Sequence, residues 1–199
     1  VLKIPLLKKG EKCEILDLPY FDELFDISYS ININNIVNDG SKIYQNIVNP
    51  HTQNAKIQNV DYGLSQILWK KSYFSYNGKP VGLELQFTHV APYNGKVTKI
   101  VFPLSFTSDF ANTSKLDTLI KLETDIPEKL PGVINIGKVL SFDLNVMASL
   151  ILDQRKFFSA NTVKNELLLI AQPQKINKNI GLKILSNLNE PDEDLILPN

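Results

Sequence analysis

Histidine and cysteine are nearly absent from this chain of 199 residues, which has two of the first, His51 and His89, and one of the second, Cys13. A single cysteine excludes an intrachain disulfide, which fits a reducing compartment or an extracellular protein that manages without one. No structured electropositive setting is evident around Cys13, so it reads as an inert thiol. The same scarcity excludes a metal site made of three imidazoles or of a Cys/His quartet. Net charge is missing too: Lys plus Arg is 21 and Asp plus Glu is 21. A nucleic-acid binder usually carries a basic excess, so none is expected as a partner. No apolar run is long enough to span a bilayer. There is no Gly-rich phosphate loop and no G-x-S-x-G elbow, and neither histidine sits in a hydrolase-like setting. The chain also begins at Val1 rather than Met, as after removal of a signal peptide or within a longer parent chain.

What remains is the composition of a folded protein, 43% hydrophobic and 21% charged, with enough residues for one sizeable core. A single domain over residues 1–199 is expected. "YFDELFDISYSININN" reads as a strand, and "NNIVNDGSKIYQNIVNPHTQN" as turn-rich, with Asp39-Gly40 as a hairpin turn. From Tyr62 to Phe106 three strands follow, with hairpin signals at Asn77-Gly78 and Asn94-Gly95. "NTSKLDTLIKLE" has helical spacing, with Ser114 and Asp117 placed like a capping box. "DIPEKLPGVINIGK" is loop-like, "ELLLIAQ" is a short buried strand, and "NKNIGLKILSNL" is a short amphipathic helix weakened by Gly181. The fold class is mainly β or α+β, with a large twisted, mostly antiparallel sheet and peripheral helices.

One strand raises a chemical question. "GLELQFTHV" alternates Leu83, Leu85 and Phe87 with Glu84, Gln86 and Thr88, the period of a half-buried strand. Its polar side should face solvent or a cleft.

The run "QILWKKSYFSYNGKPVGLELQFTHV" resembles the central hairpin of the α-carbonic anhydrases, where F-H-F-H-W leads through S-E-H-T-x-x-G-K to E-L-H-L-V-H. Ser72, Asn77, Gly78, Lys79, Glu84, Leu85 and His89 fall on matching positions without a gap. "YFDELFDISYS", "NDGS", "GKVTKIVFPLSF", "LDTLIKLE", "FDLNVMASLI", "NELLLIAQPQKINKN" and "NLNEPDEDLILPN" are similar, in order, to further segments of that family. The resemblance covers nearly the whole chain.

It implies a zinc site that has decayed. The family hydrates carbon dioxide with zinc-bound hydroxide, held by three histidines with one position open. Carried across, the ligand positions are Ile67, Trp69 and Gln86, and the first two cannot bind zinc. The proton-shuttle histidine becomes Ser41. The glutamate that orients the hydroxide becomes Tyr73, and Thr162 is what remains of the threonine pair in "SANTVKNE". Glu84 matches the carboxylate that orients a ligand histidine, although Gln86 now stands where that histidine was. The resemblance thus implies an inactive member that uses neither metal nor cofactor. Ile67 and Trp69 share strand parity, so both are expected to project into the old metal cavity, with Trp69 plugging it.

Two non-catalytic uses follow from the resemblance. One is a structural or protein-interaction subunit of a larger assembly. The other is adhesion to sulfated glycans at a cell or virion surface, through a patch of Lys70, Lys71, Lys79, Arg155 and Lys156. Asp153 and Glu166 would dilute such a patch. The zero net charge favours the subunit. The compartment follows the use: inside an assembly for the first, secreted or on a virion for the second.

Overall fold

The computed structural model describes residues 2–3, 12–17, 25–29, 32–47, 53–72, 75–76, 79–109, 127–142, 151, 156–161, 165–170 and 173–188. Its strands are β1 (Leu2–Lys3), β2 (Lys12–Asp17), β3 (Phe25–Ser28), β4 (Asn32–Asn38), β5 (Ile43–Asn46), β6 (Asn54–Ile57), β7 (Val60–Lys71), β8 (Ser75–Tyr76), β9 (Lys79–Pro80), β10 (Leu83–Val90), β11 (Val97–Thr107), β12 (Asn135–Phe142), β13 (Lys156–Asn161), β14 (Asn165–Ile170) and β15 (Gln174–Asn177). The helix α1 spans Lys178–Ser186. The large sheet runs β12-β4-β5-β7-β10-β11-β14-β13-β2, with β6 also on β7, β3 on β6, and β15 on β11. A small sheet has the order β1-β8-β9.

The sheet is mixed. β7, β10 and β11 form the expected antiparallel centre, but β11 pairs in parallel with both β14 and β15. Pro103, which has no N–H to donate, falls between those two partners: β14 pairs with residues up to Val101 and β15 with residues from Leu104.

The turns follow local chemistry. Between β4 and β5, Gly40 takes φ 92°, and Asp39 Oδ1 accepts from Ser41 N at 3.0 Å and Lys42 N at 2.9 Å. Between β10 and β11, Gly95 takes φ 67° and its N–H donates to the Ala91 carbonyl at 3.1 Å. That connection is a wider loop than a two-residue Asn-Gly turn. Asn77-Gly78 lies outside the described residues, while β8 and β9 pair with each other through Tyr76 and Lys79 and stand between β7 and β10 in the chain. A further hairpin, β6–β7, turns without glycine. Gln58 and Asn59 turn it at φ 50° and 63°, both left-handed as a type I′ turn requires.

Other expectations need adjustment. The strand read over "YFDELFDISYSININN" is two, β3 and β4, in different parts of the sheet. The loop read over "DIPEKLPGVINIGK" ends as the start of β12. The helix read over residues 112–123 lies outside the described residues. The amphipathic helix is present as α1. Asn177 caps it, its Oδ1 accepting from Asn179 N at 2.8 Å. Gly181 is buried there, and a β-carbon on it would lie 2.6 and 2.8 Å from two ring atoms of Phe106. The glycine that weakens the helix is what lets it dock.

One apolar core lies on a single face of the central strands. Leu83, Leu85 and Phe87 of β10 stand opposite Leu104, Phe102 and Ile100 of β11, and all six are buried together with Ile43, Ile67 and Trp69. Phe87 and Phe102 meet edge to face, ring centroids 5.6 Å apart.

Candidate functional site: the polar face of the central strands

Residues directly opposite one another in an antiparallel pair share a face. In the β7–β10 register, Leu85 opposes Trp69 and Phe87 opposes Ile67, whereas Gln86 opposes Leu68 and Thr88 opposes Gln66. Ile67 and Trp69 do share a face, as their parity requires. That face is the core, on the far side of the sheet from Gln86. The assignment of Ile67, Trp69 and Gln86 to one former cavity is therefore corrected: on β7 the residues of the Gln86 face are Gln66, Leu68 and Lys70. Trp69, 4% exposed, packs in the core and plugs no cavity on the Gln86 side.

The polar side of β10 is not open to solvent. Glu84 is 3% exposed and Gln86 7%. Gln86 Nε2 donates to Glu84 Oε1 at 2.5 Å, and Lys70 Nζ stands 3.6 Å from the same oxygen. Burial pushes the Glu84 carboxyl above the usual carboxylate range, while the Lys70 charge and hydrogen bonds from Gln86 and Ser72 oppose that rise. A buried carboxylate is tolerable only when satisfied in this way. Across the next strand Tyr44 opposes Leu68, and Lys42 Nζ lies 5.0 Å from the Tyr44 ring centroid.

His89 belongs to the opposite face, with Leu83, Leu85 and Phe87. It is fully buried, and Nδ1 lies 3.3 Å from the Thr98 carbonyl, so Nδ1 carries the proton and donates. Nε2 accepts from the Tyr29 hydroxyl. Burial lowers the His89 pKa to about 4 and pushes the Tyr29 phenol far up. His89 is a neutral link between two strands and the Tyr29 segment. Its hydroxyl partner was not legible in the sequence, because sixty residues separate the two.

The remaining sequence candidates scatter. Ser41 is exposed in the β4–β5 turn, its Oγ donating to Asp39 Oδ1 at 2.9 Å. Lys70 and Lys71 are consecutive in β7, so they leave opposite faces of the sheet and do not form one patch. Glu166, buried, pairs with Lys96 at 3.6 Å. Lys79 and Lys156 lie in β9 and β13. Tyr73, Arg155, Thr162, Asp153 and His51 lie outside the described residues. Sequence reasoning missed Lys42 and Lys99, which join Lys70 on the Gln86 face. No motif marks them, since only the register of four strands brings them together. No helix among the described residues is long and apolar enough to cross a membrane.

With this geometry in hand, comparison with solved structures places the fold. An α-carbonic anhydrase from Photobacterium profundum is similar, with a TM-score of 0.64 at 18% identity, covering 88% of this chain and 78% of that one. The fungal α-carbonic anhydrase from Aspergillus oryzae matches with a TM-score of 0.59 at 12% identity, over 97% and 78% of the two chains. Dioscorin, in a complex with ascorbate, matches with a TM-score of 0.59 at 16% identity, over 88% and 74%. No family model matches the sequence, and no curated protein does. The chain has an α-carbonic anhydrase-like fold.

That fold implies zinc, and the described residues of the Gln86 face do not fit it. On the Gln86 face Leu68 has no donor atom, and the Gln86 amide is engaged by Glu84. Among the described residues, no three His, Cys, Asp or Glu side chains are grouped to hold a metal ion.

Proposed function

We propose that this is a carbonic anhydrase-like domain without hydratase chemistry, acting as a structural or protein-interaction subunit of a larger assembly. The observation that carries the reading is the central face of β7 and β10. Where a hydratase needs three convergent imidazoles, this face presents Gln66, Leu68 and Lys70 of β7 and Gln86 of β10, none of them an imidazole. Two histidines are too few for that site, and His89 is locked to Tyr29 on the other side of the sheet. A rigid sheet kept after loss of its chemistry is suited to binding.

Glycan adhesion through Lys70, Lys71, Lys79, Arg155 and Lys156 has less support, because the first two face opposite ways. The deciding experiment is the native mass of the protein extracted gently from its source, with stopped-flow carbon dioxide hydration on the same fraction. Migration in a large assembly without chelator-sensitive hydration supports the subunit. Migration as a lone chain removes it. Hydration abolished by a chelator overturns the loss of chemistry.

A further inference from the structure

Among the described residues, the Gln86 face gathers more positive charge than it neutralises. Lys70 stands opposite Glu84 in register. Lys42 enters β5 beside it, with its ammonium over Tyr44. Lys99 lies opposite Thr88 on β11, and it senses Lys70, Lys42 and Glu84 together. Burial first, then the two neighbouring ammonium groups, hold Lys99 below the ordinary lysine range, and Glu84 opposes the shift. Three ammonium groups thus face one buried carboxylate, which already serves Lys70 and Gln86. Asp39, the nearby acid of the β4–β5 turn, accepts from the Ser41 and Lys42 backbones instead. Among the described residues, two positive charges are left over at a half-buried surface. Beside them the buried Thr88 Oγ1 has no hydrogen-bond partner among the described residues.

Like charges are not crowded onto a partly desolvated surface without cost. A compact dianion would cancel the excess and accept hydrogen bonds from all three ammonium groups. We propose that this face binds a small divalent oxyanion of the phosphate or sulfate class, clasped by Lys42, Lys70 and Lys99. The site does not depend on whether the domain belongs to an assembly.

The test is calorimetric titration of the full chain with inorganic phosphate, and separately with sulfate, at low ionic strength. One-site binding is expected, with Kd about 1 mM or tighter. Lys70→Gln and Lys99→Gln should each weaken it about tenfold, the loss of one charge-assisted contact. Lys71→Gln, on the opposite face, should leave it unchanged. Glu84→Gln should tighten it, a sign that a merely structural role for the face does not predict. In case a variant does not fold, lysine side-chain NMR on the unaltered chain reads the same event: added phosphate should raise the Lys99 pKa. No binding at tenfold higher anion, binding indifferent to Lys70→Gln and Lys99→Gln, or no response of Lys99 would each overturn the proposal.

Discussion

Three histidines introduced at Gln66, Leu68 and Gln86 should bind zinc, and three introduced at Ile67, Trp69 and Gln86 should not. Leu68 and Gln86 are direct neighbours across the ladder, so their β-carbons lie about 5 Å apart. Gln66 is two residues along the same face, about 7 Å away. Imidazoles at those spacings can converge on one ion at about 2.1 Å. In the second set the histidine at 86 points away from the other two, through the sheet. The first triple should bind with Kd about 1 µM or tighter, near 8 kcal/mol. The second should be weaker by a factor of about 100 or more, with at most a two-ligand site on the core side. Lys99 should oppose the metal, because an ammonium about 8 Å from a divalent ion costs on the order of a few kcal/mol at an effective dielectric of 20. Adding Lys99→Gln to the first triple should therefore raise its affinity. Competition against a chromophoric chelator, with zinc counted by mass spectrometry, reads all of this. Trp69→His empties a core position at about 3 kcal/mol or more, so folding is checked by thermal unfolding. The pair Leu68→His with Gln86→His, against Ile67→His with Gln86→His, repeats the comparison with Trp69 intact. Equal zinc binding by both arrangements would refute the register on which the site rests.

Tyr29→Phe leaves His89 Nε2 buried without a donor, and denaturant unfolding should show a loss of about 1–3 kcal/mol. The folded His89 pKa, about 4, lies below its ordinary 6.5, so the unfolded chain binds the extra proton between those values. The stability gained from keeping His89 neutral is complete above pH 6.5 and is lost as pH falls toward 4, about 3 kcal/mol in all. A His89→Gln variant should flatten that part of the profile, and an unchanged slope would count against it. Gly181→Ala gains about 1 kcal/mol of helix propensity, but crowding against Phe106 costs about 1–3 kcal/mol. Chemical denaturation should show net destabilisation, reversed to stabilisation in a Phe106→Ala background.

Much of the fold was legible where local chemistry sets it. Alternation in β10, the Asp39-Gly40 turn and the Asn177-capped helix are written in adjacent residues. The β6–β7 hairpin was missed because Gln58-Asn59 lacks the glycine that usually marks a left-handed pair. The parallel partners of β11 were missed because no local signal tells a strand which neighbour it will find. The site was misread for a related reason. An ungapped match along the chain put Ile67 and Trp69 at the ligand positions, but in a sheet a shift of one residue exchanges the two faces. Lys42 and Lys99 carry no motif, and only the tertiary register gives them a shared role.

The parallel pairing of β11 also has a consequence for the order in which the molecule is made. Its antiparallel partner β10 is synthesised just before it, so β7, β10 and β11 can associate early. The other edge of β11 is covered by residues 165–169 and 174–177, which emerge about 3–14 s later at ordinary elongation rates of about 5–20 residues per second. During those several seconds an apolar strand, with Ile100, Val101, Phe102 and Leu104 fully buried in the finished protein, keeps an open edge. Such an edge is a template for wrong partners, and pairings this distant in sequence form slowly. The last third of the chain is therefore what closes the sheet, and a truncation that removes β14 and β15 should yield an aggregating product in place of a smaller folded one.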